Sequence, residues 1–464
     1  MKRKKVGTIT LAITLIALGV ILLLNNFYFI DVFQILKVMS AVSIILIGIE
    51  FIFFDWFYRK SEDNIAIKIS VSSIILLIII YSTSFLFSSI HVLDGYSNYW
   101  IRGIFEDRNE FEVTKDYIEN AEKFNLLNVD NDKGSIEIQA VETDDVIIKA
   151  VIRVSTYKEE EEAMVLTNNI INIDKSMGNT LDIKTNNKIF NYSDTIVYVD
   201  FTIEVPKHLD IKLNNSHGDI IAEDIIRKSI IKNSHGNIEI ENIDNELIVE
   251  NKHGNIHIDN ITGVTKVTNS HGRINVENID SDIDIKNRHS STIFKNIKGN
   301  VIVKQSHGEV EGNKIDKNVE IVAEHTEVKV DGVNGEADIE TTHNKIDLKN
   351  ISSNINLVNE HGSIDLEKIK GNIKINSTHG SINLDNYDIL LKNVDIDSTH
   401  GSIKINIPNN QQGKFDLRAE HGNINSIIDF EINKDNNLQL VNSIQGDSTN
   451  SIIMNSNHGD IIIK

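Results

Sequence analysis

The sequence predicts an all-β parallel β-solenoid, with 18-residue turns of two short strands each, plus an N-terminal three-helix transmembrane region. Two observations predict the solenoid: histidines recur every 18 residues, and apolar residues occupy fixed offsets from each histidine. A third observation, three long apolar stretches near the start of the chain, predicts the transmembrane helices.

The N-terminal region, residues 1–93, contains three apolar stretches that each reach the length of a membrane-spanning helix. They are Val6–Leu24, Val38–Phe57 and Ile69–Leu93. Lysine and arginine are concentrated at the start of the chain and between the second and third stretches, which predicts a cytoplasmic N-terminus. We therefore expect an integral protein of the cell membrane, with residues 94–464 on the extracellular side.

Part of this N-terminal region resembles a known family. The run Ala17–Asn26, of sequence ALGVILLLNN, and the run Ile45–Ile49, of sequence ILIGI, are similar to the small membrane region of Lia-type cell-envelope stress proteins in Gram-positive bacteria. The resemblance covers residues 6–55. It implies that membrane proteins of envelope-stress signalling are partners of this chain.

Histidine spacing defines the repeat of the solenoid, which is predicted over residues 206–464. Glycine directly follows most of these histidines, as expected for a tight corner that needs a positive φ. The ten equally spaced histidines are His217, His235, His253, His271, His289, His307, His325, His343, His361 and His379, and His400, His421 and His458 follow at longer gaps. The glycines predicted to shape the turn are Gly218, Gly236, Gly254, Gly272, Gly308, Gly362 and Gly380.

Apolar residues recur at fixed distances from each histidine with the alternation of a β-strand. With each histidine as position 0, they lie at +3, +5 and +8, as in Ile238, Ile240 and Ile243, and again at +12 and +14. Each turn is therefore predicted to contain two short strands, a His-Gly corner and a second corner near +7 to +11. Strands that return to the same register in every turn stack in parallel at about 4.8 Å, which makes a solenoid.

Position +16 shares the inward direction of +12 and +14 but carries an amide side chain in most turns. A buried amide is costly unless it is hydrogen-bonded, and stacked amides can bond to one another along the rod axis. We therefore predict an internal amide ladder, interrupted at Ala323, Thr341 and Ser377. Its members are Asn215, Asn233, Asn251, Asn269, Asn287, Gln305 and Asn359.

The segments on either side of the regular turns lack the 18-residue period. Residues 94–123 are predicted to be a juxtamembrane connector, with a helix over Asp116–Lys123. The segment 423–464 is predicted to end in a last strand over Gly459–Lys464, and an unpaired edge at Ile461–Ile463 would support self-association of the rods. Residues 124–205 are predicted to be an irregular β cap, with strands at Ser135–Ala140, Val146–Ser155, Thr180–Thr185 and Thr195–Val205.

The entry into the regular turns resembles a second family. The stretch Val199–Lys207, of sequence VDFTIEVPK, and the stretch Leu213–Ile220, of sequence LNNSHGDI, are similar to the bacterial putative-adhesin domain of β-strand repeats called toastrack. The resemblance covers residues 124–464 and implies envelope-stress sensing or surface binding, without catalytic residues. The histidine before nearly every glycine is a departure from the family pattern.

Composition and charge limit the function. The chain has no cysteine, which excludes thiolate metal sites and cysteine nucleophiles. Residues 1–100 hold 8 Lys/Arg against 6 Asp/Glu, whereas the rest of the chain holds 38 against 61. Because the predicted exterior part is strongly acidic, it repels nucleic acid and favours cationic surface ligands as partners.

The chain lacks the sequence motifs of the common enzyme classes, including a phosphate-binding loop and a metalloprotease motif. We therefore predict no enzymatic activity and no cofactor. The expected function is that of a non-catalytic binding or cell-envelope stress-sensing module. Alternatives are a surface adhesin or self-associating structural rod and, less favoured, a polysaccharide-degrading enzyme.

Three interpretations of the histidine column follow from its spacing. Rings about 5 Å apart could simply shape the turns, could share Zn²⁺, Cu²⁺ or Ni²⁺, or could act as a pH switch on protonation. The structural interpretation is favoured, because one straight column offers no tetrahedral closure around a metal. If a metal does bind, the ten equally spaced histidines are the candidate ligands.

Overall fold

The chain is divided into two compact units, Met1–Arg108 and Asn109–Lys464, in a computed structural model. The structure describes residues 3–25, 32–58, 66–70, 72–79, 108–175, 178–186, 195–386, 388–446 and 449–464. Residues 94–107 of the predicted connector lie outside these ranges.

The first unit contains two helices and a small parallel sheet. Helix α1 spans Thr8–Asn25 and helix α2 spans Val32–Tyr58, while strands β1 (Arg3–Val6) and β2 (Ala66–Ile69) pair in parallel. The two helices coincide with the first two apolar stretches. Of the third stretch, residues 72–79 are helical and residues 80–93 lie outside the described part.

Helices α1 and α2 lie at the first two of the three predicted membrane spans, but they do not have the properties of a membrane-spanning helix. Within the described residues, no helix combines the length and the apolar character that crossing a membrane requires. A buried carboxylate joins α1 and α2: Glu50 accepts hydrogen bonds from the backbone N–H and the hydroxyl of Thr10, at 3.1 and 2.7 Å.

The second unit begins with an end structure of strands and one short helix. Strand β6 pairs antiparallel with β3 and with β9, and β5 pairs in parallel with β9. Ala163 of helix α3 is buried against the core. The elements are β3 (Asn109–Asn120), β4 (Leu126–Lys133), β5 (Ile136–Val141), β6 (Asp145–Thr156), α3 (Glu160–Thr167), β7 (Ile171–Asp174), β8 (Thr180–Thr185) and β9 (Thr195–Pro206).

The helix expected over Asp116–Lys123 is wrong. Instead, β3 runs through most of this segment and pairs along its whole length with β6. Phe111, Val113 and Tyr117 alternate with exposed residues along β3, which is the period of a strand rather than that of a helix. Pairing with the long β6 thus overrides the local helical preference of the charged residues.

The rest of the second unit is a β-solenoid of about eleven turns with the predicted 18-residue repeat. Each turn gives one strand to each of two sheets, and parallel pairing joins residues 18 positions apart, such as Asn215 with Asn233 and Ile238 with Ile256. The prediction of a parallel solenoid with two short strands in each turn is confirmed. We name the two sheets the histidine sheet, whose strands run towards the histidines, and the opposite sheet.

The regular strands occur alternately in the two sheets. The histidine sheet contains β10 (Asp210–His217), β12 (Ser229–His235), β14 (Leu247–His253), β16 (Thr265–His271), β18 (Ile283–His289), β20 (Val301–Gln305), β22 (Val319–Ala323), β24 (Ala337–Thr341), β26 (Ile355–His361), β28 (Ile373–His379), β30 (Val394–His400) and β32 (Gly413–Glu420). The opposite sheet contains β11 (Ile220–Glu223), β13 (Ile238–Ile243), β15 (Ile256–Ile261), β17 (Ile274–Ile279), β19 (Thr292–Ile297), β21 (Gly308–Ile315), β23 (Thr326–Val333), β25 (Ile346–Ile351), β27 (Ile364–Ile369), β29 (Ile382–Asp385), β31 (Ile403–Asn406) and β33 (Ile424–Ser426).

The core is a continuous column of aliphatic side chains between the two sheets. In one turn it contains Ile256, Ile258 and Ile261 from β15, and in the next strand Val267, all essentially inaccessible to solvent. Each such side chain contributes roughly 1.5–3 kcal/mol on burial. Because every turn covers its neighbours, the strands hold their common register.

The last turn of the chain is inserted between two earlier turns. Strand β36 (Ser451–His458) pairs in parallel with β30 on one side and β32 on the other, and β37 (Ile461–Ile463) pairs likewise with β31 and β33. Strands β34 (Asn433–Asp435) and β35 (Leu438–Gln445) form an antiparallel hairpin, and β35 also pairs antiparallel with β32. Both edges of β37 are therefore paired, so this strand does not supply the free edge that would support self-association.

Candidate functional site

The histidine side chains of successive turns stack into one column along the solenoid. From His217 to His400, neighbouring ring centroids are 4.4–5.3 Å apart. The column then continues in spatial rather than sequence order, because His458 stacks on both His400 and His421, at 4.8 and 4.9 Å. Most of these rings are exposed, so the column forms a surface feature.

The glycine that follows most of these histidines forms the tight corner of the backbone next to the histidine column. The seven glycines predicted to shape the turn all have positive φ, from 114° to 130°. Neighbouring rings are tilted by 29–31° between His289 and His343, and by 2–24° elsewhere in the column. Ser290, Thr326 and Asn344 replace the glycine in this stretch, whereas Gly308 keeps it. The larger tilts therefore occur where three of four successive corners lack glycine.

The amide side chains at position +16 are buried beneath these corners. All seven, from Asn215 to Asn359, are only 1–4% exposed. Their amide nitrogens donate to corner carbonyl oxygens: Asn233 to Gly218 at 2.8 Å, and Asn251 to Gly236 at 2.9 Å. The predicted bonding of these amides to one another is wrong: their nitrogens donate to carbonyl oxygens of the corners, and the Oδ1 atoms of Asn215, Asn233, Asn269 and Asn287 accept no hydrogen bond.

Mutual amide bonding occurs at another position of the repeat. At position +7, on the surface, Asn260 Nδ2 donates to Asn242 Oδ1 at 2.7 Å, and Asn296 Nδ2 donates to Asn278 Oδ1 at 2.9 Å. These asparagines have φ of 54–59°, which asparagine tolerates better than most residues. The recurrence of asparagine before the apolar residue at +8 was the signal for this ladder.

The rings of the histidine column stack at close range, and this stacking alters the pKa of two of them. Partial desolvation in the stack, and then the neighbouring histidines, lower the pKa of His253 and of His289 below the ordinary value. Parallel rings place their nitrogens side by side, whereas a shared metal needs two nitrogens within about 4.2 Å of each other. Within the described residues, no group of three or more His, Asp or Glu could hold a metal ion. The metal and pH-switch interpretations stay predictions.

A second surface feature is an acidic groove on the outside of the histidine sheet. It is a cavity of about 450 Å³ whose charged lining contains one ammonium group, that of Lys266, among several carboxylates. The acidic groove is defined by the carboxylates of Asp282, Asp284, Glu320, Glu336 and Asp338. Asp282 and Glu336 lie at position +11 of their turns, and the other three carboxylates lie at position +13. Acidic residues at these two positions of the repeat were the sequence signal for this groove.

Comparison with known proteins bears on the solenoid alone. Residues 273–464 match the family Toastrack DUF4097, in agreement with the resemblance of residues 124–464 over that segment. No curated protein matches the chain significantly. No comparison supports the resemblance of residues 6–55 to Lia-type proteins.

Two solved structures of adhesin-like proteins are similar to this chain. A putative cell adhesion protein from Clostridium sporogenes is 13% identical, with coverage of 76% of this chain and 99% of that protein and a TM-score of 0.17. A putative adhesin from Bacteroides fragilis is 14% identical, with coverage of 57% and 97% and a TM-score of 0.28. These TM-scores are too low to support an inference about this chain.

Proposed function

We propose that the solenoid is a non-catalytic, adhesin-type binding module whose acidic groove receives a lysine- or arginine-rich segment of a partner protein. The observation that carries the proposal is the collection of five carboxylates around one ammonium group in this groove. All five carboxylates lie within residues 273–464, the segment that matches the Toastrack family. The location outside a membrane stays a prediction and is not needed for binding.

The groove combines a fixed shape with a concentrated charge. Glu320 pairs with Asp338 in the adjacent strand, and Asp284 lies two strands away on the other side of Ile302. Strands paired on both sides hold these positions, so little conformational entropy is lost when a partner binds. The net charge of −21 would also attract a cationic partner over a distance of about one Debye length, which speeds association.

Aromatic residues of the solenoid do not favour the enzyme alternative. A polysaccharide-degrading solenoid needs paired carboxylates in a cleft and usually has exposed aromatic faces for the sugar rings. Phe294 and Phe415 are fully buried, and Phe430 packs against the core. Tyr387 lies outside the described residues.

The proposal predicts that the full chain binds a fluorescent oligolysine peptide, and that neutralising the groove weakens this binding about tenfold. The variant Glu320→Gln with Asp338→Asn removes two carboxylates of the groove. As a control, Glu239→Gln with Glu311→Gln removes two exposed carboxylates from the opposite sheet with the same change in net charge. Fluorescence anisotropy at low and raised ionic strength measures the affinities.

Equal losses in the two variants would show that net charge alone attracts the peptide, and the groove would then not be the site. Unchanged binding by the groove variant would contradict the proposal in the same way. The expected result is a loss confined to the groove variant, which becomes smaller as salt screens the charges.

A further inference from the structure

The repeat lengthens by three residues between His379 and His400, and the additional residues lie between β29 and β30. The structure describes this loop at residue 386 and at residues 388–393. The backbone N–H of Leu390 donates to Gln411 Oε1 at 2.8 Å, and its carbonyl accepts from Gln411 Nε2 and Asn450 Nδ2, both at 2.9 Å. Gln411 and Asn450 are only 2% and 4% exposed. Two buried amides therefore hold the middle of the loop in one position.

This loop lies beside the second corners of the two preceding turns and encloses a cavity with them. The cavity has a volume of about 520 Å³, within the usual range for small-molecule sites. We name it the lysine cleft, because Lys368 lines it from the end of β27, Lys370 from the corner after β27, and Lys392 from the loop. Asp388 is the one carboxylate among its lining residues. In a chain with a net charge of −21, the lysine cleft is a local reversal of charge.

Apolar side chains are exposed at the edge of the same cleft. Ile389 and Leu391 are 41% and 77% exposed, whereas Leu390 between them is buried in the core. Because Leu390 points inward, the residues on either side of it must point outward. An apolar group that covered these two side chains would remove their hydrocarbon surface from water, which is favourable.

Two of the three lysines are available for an external anion. Lys368 pairs with Glu367, at 3.2 Å. Among the ion pairs of the described residues, neither Lys370 nor Lys392 has a carboxylate partner. A lysine ammonium is a compact point charge with three donors, which suits the oxygens of a phosphate or a carboxylate.

We infer that the lysine cleft binds a small amphiphilic anion, with its phosphate or carboxylate at Lys370 and Lys392 and its apolar part against Ile389 and Leu391. The fixed loop means that the apolar edge exists before the ligand arrives. This site takes a ligand of opposite charge from that of the acidic groove and shares no residue with it. The two proposals therefore fail independently.

The test is calorimetric titration of the full chain with octyl phosphate and, separately, with inorganic phosphate. Octyl phosphate is expected to bind more tightly, since inorganic phosphate cannot cover the apolar edge. The variant Lys370→Gln with Lys392→Gln should weaken octyl phosphate binding by about tenfold or more. The control Lys374→Gln with Lys404→Gln removes the same charge from neighbouring turns and should have little effect. Leu391→Ser should remove the advantage of octyl phosphate over inorganic phosphate.

Three results would overturn the inference: no binding of octyl phosphate, equal affinity for octyl and inorganic phosphate, or equal losses in the two lysine variants. A vesicle experiment then identifies the source of the anion. Cosedimentation with phosphatidylglycerol vesicles that is lost in the Lys370→Gln, Lys392→Gln variant would assign the site to a lipid headgroup. Binding of octyl phosphate without such cosedimentation would assign the site to a free small molecule.

Discussion

Deletion of residues 449–464 is expected to unfold the C-terminal end of the solenoid, rather than to shorten the solenoid by one turn. The deleted segment contains β36 and β37, which lie between the turn of β30 and β31 and that of β32 and β33. Without them, the turn of β32 and β33 loses the turn that it pairs with, and the turn of β30 and β31 keeps a neighbour on one side alone, that of β28 and β29. The deletion also removes four buried side chains, those of Ile452, Met454, Ile461 and Ile463. At roughly 1.5–3 kcal/mol each, this loss is comparable with the whole stability of many domains.

Hydrogen–deuterium exchange measures this effect turn by turn. Residues 394–446 should lose their protection in the truncated chain, while the turns between β10 and β26 keep theirs. The variant Ile462→Ser is the control, because this side chain is partly exposed and points away from the core. If β30 to β33 stayed protected in the truncated chain, the inserted position of the last turn would be incorrect.

The variant Gly254→Ala is expected to be strongly destabilised, because the corner has neither the backbone angle nor the space for a methyl group. Gly254 has φ of +127°, and a Cβ placed on it would lie 2.0 Å from the carbonyl oxygen of Gly236. That neighbour is backbone, and its own N–H donates to the carbonyl of His253 at 2.9 Å. Relief of the clash must therefore break the corner. We expect a loss of about 3 kcal/mol or more in the free energy of unfolding.

Gly332→Ala separates the effect of the angle from that of the clash. Gly332 also has a positive φ, +82°, but the nearest atom to an added Cβ is 3.6 Å away. Its loss should be about 1 kcal/mol, the strain of the backbone angle alone. Denaturant unfolding of both variants gives the comparison. Similar losses at the two positions would mean that close contact between successive corners does not exist.

The regular turns could be predicted from the sequence because each of them repeats the same pattern of residues. The 18-residue spacing from His217 to His379 and the apolar residues at +3, +5 and +8 leave one way to stack the strands with a common core. The strand Thr180–Thr185 was even predicted with the bounds that the structure has. The periodicity does not, however, determine which group each side chain hydrogen-bonds to.

The parts that could not be predicted depend on neighbours in space. The partner of Asn251 depends on the direction of a glycine carbonyl, which residue spacing does not report. Sequence order places the turn of His458 after that of His421, whereas the strands place it between His400 and His421. The gap of 21 residues after His379 was visible in the sequence, but the loop that it produces depends on Gln411 and Asn450 from later turns.

Distances between pairs of column positions test the stacking of equal turns. The chain has no cysteine, so spin labels can be attached selectively to the exposed positions 217, 307 and 379. We measure His217→Cys with His307→Cys, and His217→Cys with His379→Cys, by pulsed electron paramagnetic resonance. Five and nine rises of one turn should give distances of about 24 Å and about 43 Å. Distances that do not increase in proportion to the number of intervening turns would contradict the stacked solenoid, and with it both proposed binding sites.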